Sequence, residues 1–371
     1  MCDGIMKNYA ITILSTQRPD DKTGVKVFCD SLERELINVG LLVVRMSHHD
    51  CSLFCKRACL LFLKLARLAG RDIQQVVSRL TIYIMARSAL RRGRPQGVIL
   101  AQDPITGAAA TRMGLPNLVV CHFSDPIGEV IRATPLNRLA YLLLRWTLIR
   151  FLRGNRRYLV LTNAVAKVMK KYVPDAKIDI VPTICRMTDF IDPIKHEGFR
   201  MVMAGRLERL KGQDRLIRMV QKCDMGGIEL HLVGDGPDRH YLENLACELG
   251  IANKVKFWGF VERPEDVFRQ CDLYIHASHM ECMPLAPLEA IFSGIPAWCY
   301  EFPGYNDCGL FDGMPHISQS TTPEELARLV MQYSAIGIEG TRHLLNRQQD
   351  KARQFKGSVA ITRYLELCGN V

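Results

Sequence analysis

The sequence predicts an α/β protein with two doubly wound parallel sheets. Short apolar runs alternate with helical patterns along the chain, and this order is typical of parallel strands joined by crossover helices. A length of 371 residues is enough for two domains of ordinary size. Hydrophobic residues make up 48% of the chain and charged residues 23%, as in globular proteins. We therefore expect one globular domain of this class in each half.

The first half of the chain opens with a predicted strand at residues 10–15 and a helix at residues 25–39. Another strand follows at residues 41–47. Further strand patterns begin at residues 97, 117 and 158, and a long helix pattern covers residues 136–153. The segment KIDIVPTICRM closes this half, so we place the first domain at residues 1–192.

The second half repeats the alternation of strands and helices at short intervals. One strand pattern ends at Gly205, a second at residues 230–233 leads into a Gly-Asp-Gly-Pro turn, and KVKFWGFV forms a third. The strand CDLYIHAS at residues 271–278 is followed by a loop and a short helix. We place the second domain at residues 193–342 and a terminal helix within residues 343–371.

The candidate binding residues of the second half lie at its predicted strand ends, where doubly wound sheets bind their ligands. Arg206 and Lys211 flank one turn and form a plausible diphosphate clamp, since Arg offers a fork of donors and Lys a compact charge. Glu281 and Glu289 flank a helix start whose backbone amides can hold an anion, and their carboxylates can accept hydrogen bonds from sugar or ribose hydroxyls. The other candidates at these turns are Gly205, Gly234, Phe260, Val261, Met283 and Leu285.

Five ordered motifs over about 100 residues carry a resemblance to a known family. They are GRLERLKGQDRLI, LVGDGPDR, VKFWGFV, a strand running into HAS, and E-x7-E ending in LEA. In these motifs the chain resembles the donor half of retaining family-4 glycosyltransferases (glycosyltransferase group 1). Their GT-B fold has two Rossmann-like doubly wound domains that face a central cleft. The chain departs from the family pattern at Cys282, where Gly is usual, and at Pro287, where an aliphatic residue is usual.

The resemblance implies roles for the candidate residues. Arg206 and Lys211 would hold the donor diphosphate, Glu281 would contact the donor sugar, and Glu289 would contact the nucleotide ribose. The resemblance also places His122, at a strand end, at the edge of the donor sugar pocket. The alternative for His122 is a structural histidine that is satisfied within the fold. In such folds the terminal helix commonly packs back on the first domain.

Positive charge is concentrated in the first domain. Residues 51–160 hold 18 Lys and Arg against four Asp and Glu, although the whole chain has a net charge of only +11. On a helix at residues 51–71, one arc carries five cations beside leucines and phenylalanines, a pattern typical of a helix in an anionic membrane interface. These cations are Lys56, Arg57, Lys64, Arg67 and Arg71. The alternative is a helix that packs on its own sheet and exposes a basic edge. We expect no nucleic-acid partner, since no binding fold or aromatic stacking series accompanies the charge.

Several sequence patterns that would indicate a metal site, a disulfide or a membrane span are absent from the sequence. No Asp-x-Asp string is present, so we expect no metal ion, with Arg206 and Lys211 taking over its electrostatic role, and no cofactor beyond the donor. The 14 cysteines form no CxxC pair and are interpreted as reduced thiols. No apolar run reaches about 18 residues, and the N-terminus lacks the pattern of a signal peptide. We therefore expect a cytoplasmic protein, peripheral on the inner face of the plasma membrane.

These observations together favour a retaining glycosyltransferase. It would move a sugar from a nucleoside-diphosphate sugar, with UDP or GDP as the nucleotide, to a lipid-linked glycan or glycolipid. The pathway would be surface polysaccharide synthesis of the bacterial type, such as that of lipopolysaccharide. Two alternatives remain open: a GT-B synthase with a soluble sugar or sugar-phosphate acceptor, and an inactive GT-B scaffold of a polysaccharide assembly complex. The presence of Arg206, Lys211, Glu281 and Glu289 together argues against the inactive scaffold.

Overall fold

A computed structural model of the chain describes residues 10–17, 23–128, 136–224, 226–302, 304–307 and 309–371. The chain forms two compact units. Unit 1 comprises Met1–Arg186 and Gly357–Val371, and unit 2 comprises Met187–Lys356. The sequence had suggested boundaries at residues 192/193 and 342/343.

Unit 1 is built on a six-stranded parallel sheet with the order β2-β1-β3-β4-β5-β6. Its strands are β1 (Ala10–Ser15), β2 (Leu42–Ser47), β3 (Val98–Ala101), β4 (Asn117–Cys121), β5 (Arg157–Val160) and β6 (Lys177–Ile180). Its helices, in the described residues, are α1 (Gly24–Asn38), α2 (Leu53–Leu68), α3 (Arg71–Gly93), α4 (Pro104–Arg112), α5 (Arg138–Arg153), α6 (Asn163–Tyr172) and, from the C-terminus, α12 (Gly357–Cys368). The inner strands β1 and β3 are buried along their whole length, as expected of a parallel sheet covered on both faces.

The helix predicted over residues 51–71 is two helices. Helix α2 ends at Leu68 and α3 begins at Arg71, and between them Gly70 has φ +120°, a conformation that L side chains rarely adopt. The predicted cation Arg71 therefore lies on α3 and not on α2. Basic residues occur on both sides of Gly70, and for this reason the sequence pattern did not indicate that the helix ends there.

Unit 2 is built on a five-stranded parallel sheet with the order β11-β10-β7-β8-β9. Its strands are β7 (Phe199–Ala204), β8 (Ile228–Val233), β9 (Val255–Gly259), β10 (Leu273–His276) and β11 (Ala297–Cys299). Its helices are α7 (Gln213–Lys222), α8 (Arg239–Glu248), α9 (Glu265–Phe268), α10 (Leu285–Phe292) and α11 (Pro323–Ala352). Two parallel sheets with alternating helices confirm the predicted α/β fold.

The C-terminal segment is divided between the two units. Helix α11 bends at Gly337 (φ 75°, ψ 169°) and ends in unit 2, whereas α12 belongs to unit 1. Within unit 1, α12 lies beside α1, and the hydroxyl of Tyr364 donates a hydrogen bond to the carbonyl oxygen of Pro182 (2.9 Å). The single terminal helix expected from the sequence is thus interrupted before Gly357.

The edge strand β11 is closed by a side chain of α11. The amide of Gln348, which is 1% exposed, donates to the carbonyl oxygen of Ala297 (2.7 Å) and accepts from its N–H (2.9 Å). Both groups would otherwise be buried without a partner, which is costly in an apolar interior. Nowhere in the described ranges is a helix long and apolar enough to cross a membrane.

The turn before α7 depends on a glycine. Gly212 has φ +69°, and a Cβ atom there would lie 2.2 Å from the carbonyl oxygen of Ala277, just past β10. The backbone at residue 212 therefore passes directly against the loop that follows β10. Only glycine allows both this conformation and this close approach.

We expect Gly212→Ala to destabilise the protein more than Gly250→Ala. The two residues have nearly equal φ values, +69° and +70°, but a Cβ at Gly250 would meet nothing within 4 Å. Gly250→Ala should therefore lower the free energy of unfolding by about 1 kcal/mol from backbone strain alone, and Gly212→Ala by about 3 kcal/mol or more. Urea titration of both variants measures the difference. Equal losses would contradict the close backbone contact at Gly212.

Candidate functional site

The carboxyl ends of the strands of unit 2 lead into loops that are joined by backbone contacts. The N–H of Gly234 donates to the carbonyl oxygen of Gly259 (2.8 Å), and a Cβ at Gly234 would lie 2.0 Å from the carbonyl oxygen of Gly205. The N–H of Leu207 donates to the carbonyl oxygen of Asp235 (3.0 Å). Gly234 thus allows the loops after β7, β8 and β9 to meet at the carboxyl ends of these strands.

Glu281 is the centre of a charged cluster at this edge. Its Oε1 lies 2.7 Å from Nζ of Lys211 and 2.8 Å from Nε2 of His276, and its side chain is 14% exposed. Burial raises the pKa of Glu281, but the hydrogen bond with His276 and the charge of Lys211 outweigh it and hold the pKa at about 2. The carboxyl group is therefore ionised throughout the physiological pH range. Both contacts fall on Oε1, so Oε2 can accept hydrogen bonds from a ligand.

His276 is held in place from behind by Tyr274. The two residues project from β10, and the tyrosine hydroxyl lies 3.1 Å from Nδ1 of His276 and 3.1 Å from the carbonyl oxygen of Ala204 on β7. His276 is 3% exposed. Because Glu281 is ionised and can only accept, Nε2 of His276 is the donor of their hydrogen bond. The orientation of the Glu281 carboxylate is thus fixed through two neighbouring strands.

The loop that carries Glu281 is tied to the loop that carries Lys211. The N–H of His279 donates to the carbonyl oxygen of Leu210 (2.8 Å), and the hydroxyl of Ser278 lies 3.1 Å from the same oxygen. These bonds bring Lys211 and Glu281 together although they are 70 positions apart in the sequence. The predicted cation and the predicted carboxylate are therefore in direct contact.

Arg206 has a fixed backbone and an exposed guanidinium group. Its carbonyl oxygen accepts a hydrogen bond from the buried side-chain amide of Gln213 (2.9 Å). Its Nε lies 3.4 Å from Oε2 of Glu208, and its side chain is 64% exposed. An ion pair this exposed holds a side chain only weakly, so the guanidinium is free to turn toward an anion.

Glu289, Met283 and Leu285 lie at helix α10, whereas Phe260 and Val261 follow β9. Glu289 is 7% exposed, and its carbonyl oxygen accepts a hydrogen bond from the hydroxyl of Ser293 (2.7 Å). The helix begins after Pro284, which provides no side-chain cap for the first amides. The candidates differ in exposure: Met283 is buried, Leu285 and Val261 are half-buried, and Phe260 is 52% exposed.

His122 belongs to unit 1, where it follows β4. Its Nε2 lies 2.9 Å from Oε1 of Gln102, and its ring meets the ring of Phe28 edge-on at 4.7 Å. Burial lowers the pKa of His122 to about 4. The imidazole is therefore neutral at physiological pH. It can orient Gln102 or hydrogen-bond a ligand hydroxyl, but it carries no charge.

Sequence reasoning assigned no role to His276 or Tyr274. A signal was present, since His276 is a polar residue at the end of the otherwise apolar strand CDLYIHAS, immediately before the loop of Glu281. Over the ranges that the structure describes, no group of three or more His, Cys, Asp or Glu residues is arranged to hold a metal ion.

The low pKa of Glu281 predicts a pH dependence of stability. The pKa is about 2 in the folded protein and near its ordinary value of 4.5 in the unfolded chain. The ionised carboxylate therefore stabilises the fold above pH 4.5, and this stabilisation is lost as the pH falls toward 2. The free energy of unfolding of the wild type, minus that of Glu281→Gln, should be larger at about pH 5 than at about pH 3. A difference that urea titration finds to be constant would contradict the pKa.

Residues 188–334 match the family described as Glycosyl transferases group 1. The chain is 33% identical over 99 residues to MJ1607 of Methanocaldococcus jannaschii, named an uncharacterized glycosyltransferase, covering 26% of this chain and 25% of that protein. It is 37% identical over 84 residues to LpsD of Rhizobium meliloti, named a lipopolysaccharide core biosynthesis glycosyltransferase, covering 22% and 24%. The aligned segments thus span about a quarter of each relative.

The fold is similar to that of HepE from Anabaena, whose crystal structure is a complex with UDP. The TM-score is 0.68 at 14% sequence identity, and the similarity covers 98% of this chain and 100% of HepE. This likeness, together with the two doubly wound sheets, confirms the GT-B fold. Residues 188–334 of this chain, which has the GT-B fold, thus match the group 1 glycosyltransferase family.

Proposed function

We propose that the protein transfers a sugar from a nucleoside-diphosphate sugar, with retention at the anomeric carbon, during polysaccharide synthesis. The observation that carries the proposal is the ionised Glu281, held by Lys211 and His276 at the carboxyl edge of the second sheet. Doubly wound sheets bind their ligands at this edge. A group 1 family match over the same residues and the UDP in the similar HepE structure support a nucleotide-sugar donor.

Each charged group of the site has a part in binding this donor. Lys211 and the exposed Arg206 would neutralise the diphosphate, and the uncapped amides at the start of α10 would donate to it. Glu281 would accept hydrogen bonds from hydroxyls of the sugar. Glu289, within α10, would do the same for the ribose.

The chemistry requires stabilisation of a departing diphosphate. The bond between the anomeric carbon and the diphosphate oxygen breaks, and the electron pair remains on that oxygen. An acceptor hydroxyl forms the new bond on the same face of the sugar, and its proton passes to the leaving phosphate. Lys211 and Arg206 stabilise the charge that develops on this phosphate. Electrostatic stabilisation of this kind is commonly the largest single contribution to catalysis.

We further propose that the acceptor is lipid-linked and that unit 1 lies on an anionic membrane. On α2 only Cys59 and Ala66 are buried, while Phe54 and Leu68 are 84% and 85% exposed. Helix α5, which contacts α3, also exposes Trp146 (61%). Apolar side chains beside many cations suit an anionic membrane interface. The name of LpsD, a lipopolysaccharide core biosynthesis enzyme, supports an acceptor of this class.

Lys211→Ala should abolish most of the activity. Loss of one preorganised donor to a developing anion lowers turnover by about 100- to 1,000-fold. The control is Lys222→Ala, which removes an equal charge from an exposed ion pair with Glu324 (3.0 Å) and should leave turnover nearly unchanged. Hydrolysis or transfer of labelled UDP- and GDP-sugars measures both. If Lys211→Ala and Lys222→Ala retain similar activity, the proposed role of Lys211 is wrong.

Activity should persist in EDTA. The two cations Arg206 and Lys211 provide the positive charge that a divalent ion supplies in enzymes with paired carboxylates. Turnover of the donor in EDTA, compared with turnover in added Mg²⁺ or Mn²⁺, tests this. A strict requirement for either ion would contradict the proposal of metal independence, and would leave the assignment of Glu281 intact.

A further inference from the structure

A cationic groove in unit 1 lies between α2 and α3. Its volume is about 510 Å³, within the range of small-molecule sites. Side chains from the start of α2 and the second half of α3 line it: Ser52, Cys55, Tyr83, Ile84, Arg87, Ser88, Arg91 and Arg92. Three of the eight are arginines, so the groove has a strongly positive lining. Neither the group 1 family match nor the proposed donor site includes these residues.

The three arginines lack carboxylate partners within the described part of the chain. Residues 51–94 hold ten Lys and Arg and a single Asp. That residue, Asp72, accepts a hydrogen bond from the backbone N–H of Asn137 (3.2 Å). The carboxylates on either side of this segment are Asp50, which accepts a hydrogen bond from the backbone N–H of Ser47 (2.7 Å), and Asp103, which caps helix α4 through the N–H groups of Ile105 and Thr106 (both 2.9 Å). These carboxylates are thus engaged elsewhere, and no ion pair with the arginines of the groove occurs among the residues that the structure describes.

The spacing of the arginines is unfavourable without an anion. Arg87 and Arg91 are four positions apart on α3, where like charges repel each other. The Nε of Arg87 is buried and has no hydrogen-bond partner, although its guanidinium carbon lies 5.9 Å from the centre of the Tyr83 ring. A buried donor without a partner destabilises a fold. An anion in the groove would reduce the repulsion between the two guanidinium groups.

The polar floor of the groove is rigid. The N–H of Ser52 donates to the hydroxyl of Ser88 (3.1 Å), and the hydroxyl of Ser52 accepts from the N–H of Cys55 (3.3 Å) at the start of α2. The first bond joins the start of α2 to α3, and the second caps α2. Ile84, which lines the groove, is 51% exposed, and Leu53 (62%) and Phe54 (84%), which follow Ser52 in the chain, are also exposed.

We propose that this groove binds the phosphate group of a phosphate ester. Guanidinium groups offer planar pairs of N–H donors that match phosphate oxygens, and three of them suit the charge of a phosphate better than that of a single carboxylate. Two kinds of molecule carry such a phosphate group: an anionic lipid, in its headgroup, and a soluble sugar phosphate or glycerol phosphate. The site is separate from the donor-binding residues of unit 2, and it does not depend on the proposed transferase activity.

The test compares two triple variants of the full chain with equal net charge. The groove variant is Arg87→Gln, Arg91→Gln and Arg92→Gln. The control variant is Lys222→Gln, Arg263→Gln and Arg328→Gln, which removes exposed cations of unit 2, away from both the groove and α2. Thermal unfolding is measured to establish that both variants are folded. If the groove variant does not fold, the three arginines are replaced one at a time.

Two probes distinguish the sources of phosphate. The first is glycerol phosphate, titrated by calorimetry at fixed ionic strength. The second is a pair of vesicles matched in surface charge, neutral lipid with phosphatidic acid and neutral lipid with oleic acid. We expect the groove variant to lose about tenfold in affinity for glycerol phosphate, or to lose the preference for phosphatidic acid over oleic acid, while the control keeps both. The first result indicates a soluble ester and the second a lipid. If the two variants behave alike with both probes, the proposal is wrong.

Discussion

A buried carboxylate remains ionised when hydrogen-bond donors or cations lie beside it, and the arrangement of unit 2 follows from this constraint at Glu281. Lys211 and His276 supply the partners, and they come from two different strand ends. The two loops must therefore run side by side. The backbone contact at Gly212 and the bonds from His279 and Ser278 to Leu210 keep them there. The contacts of Glu281, the glycine at position 212 and the course of the two loops therefore depend on one another.

The two units differ in how they treat their charges. In unit 2 the cations near the sheet edge have acidic neighbours, Lys211 beside Glu281 and Arg206 beside Glu208. In unit 1 the cations of α2 and of the second half of α3 greatly outnumber the carboxylates. Ion pairs neutralise charge within the fold, whereas an excess of charges of one sign attracts a binding partner of the opposite charge. The cations of the candidate site in unit 2 thus have acidic partners nearby, whereas the basic surface of α2 and α3 in unit 1 keeps an excess of positive charge.

Sequence patterns predicted the fold, and they selected candidate site residues without predicting the contacts between them. Lys211 and Glu281 could each be chosen because they follow strands, yet their contact spans 70 positions and required the loops themselves. His276 was missed because its strand is otherwise apolar and strands of that kind are read as core. The break at Gly70 was hidden by cations that continued on both sides of it. The groove of Arg87 could not be predicted at all, since it forms only where two helices meet.

The bond between Gln348 and the edge strand β11 has a consequence beyond unit 2 itself. A free edge strand can pair with a strand of another molecule, and this is a common route to aggregation. On β11 the side-chain amide occupies the hydrogen-bonding groups of Ala297 in the way that a sixth strand would. At the opposite edge, β9 carries Lys256, whose charge lies 3.9 Å above the ring of Trp258 and discourages the approach of an apolar strand. Both edge strands of this sheet are therefore protected against pairing with a strand of another molecule.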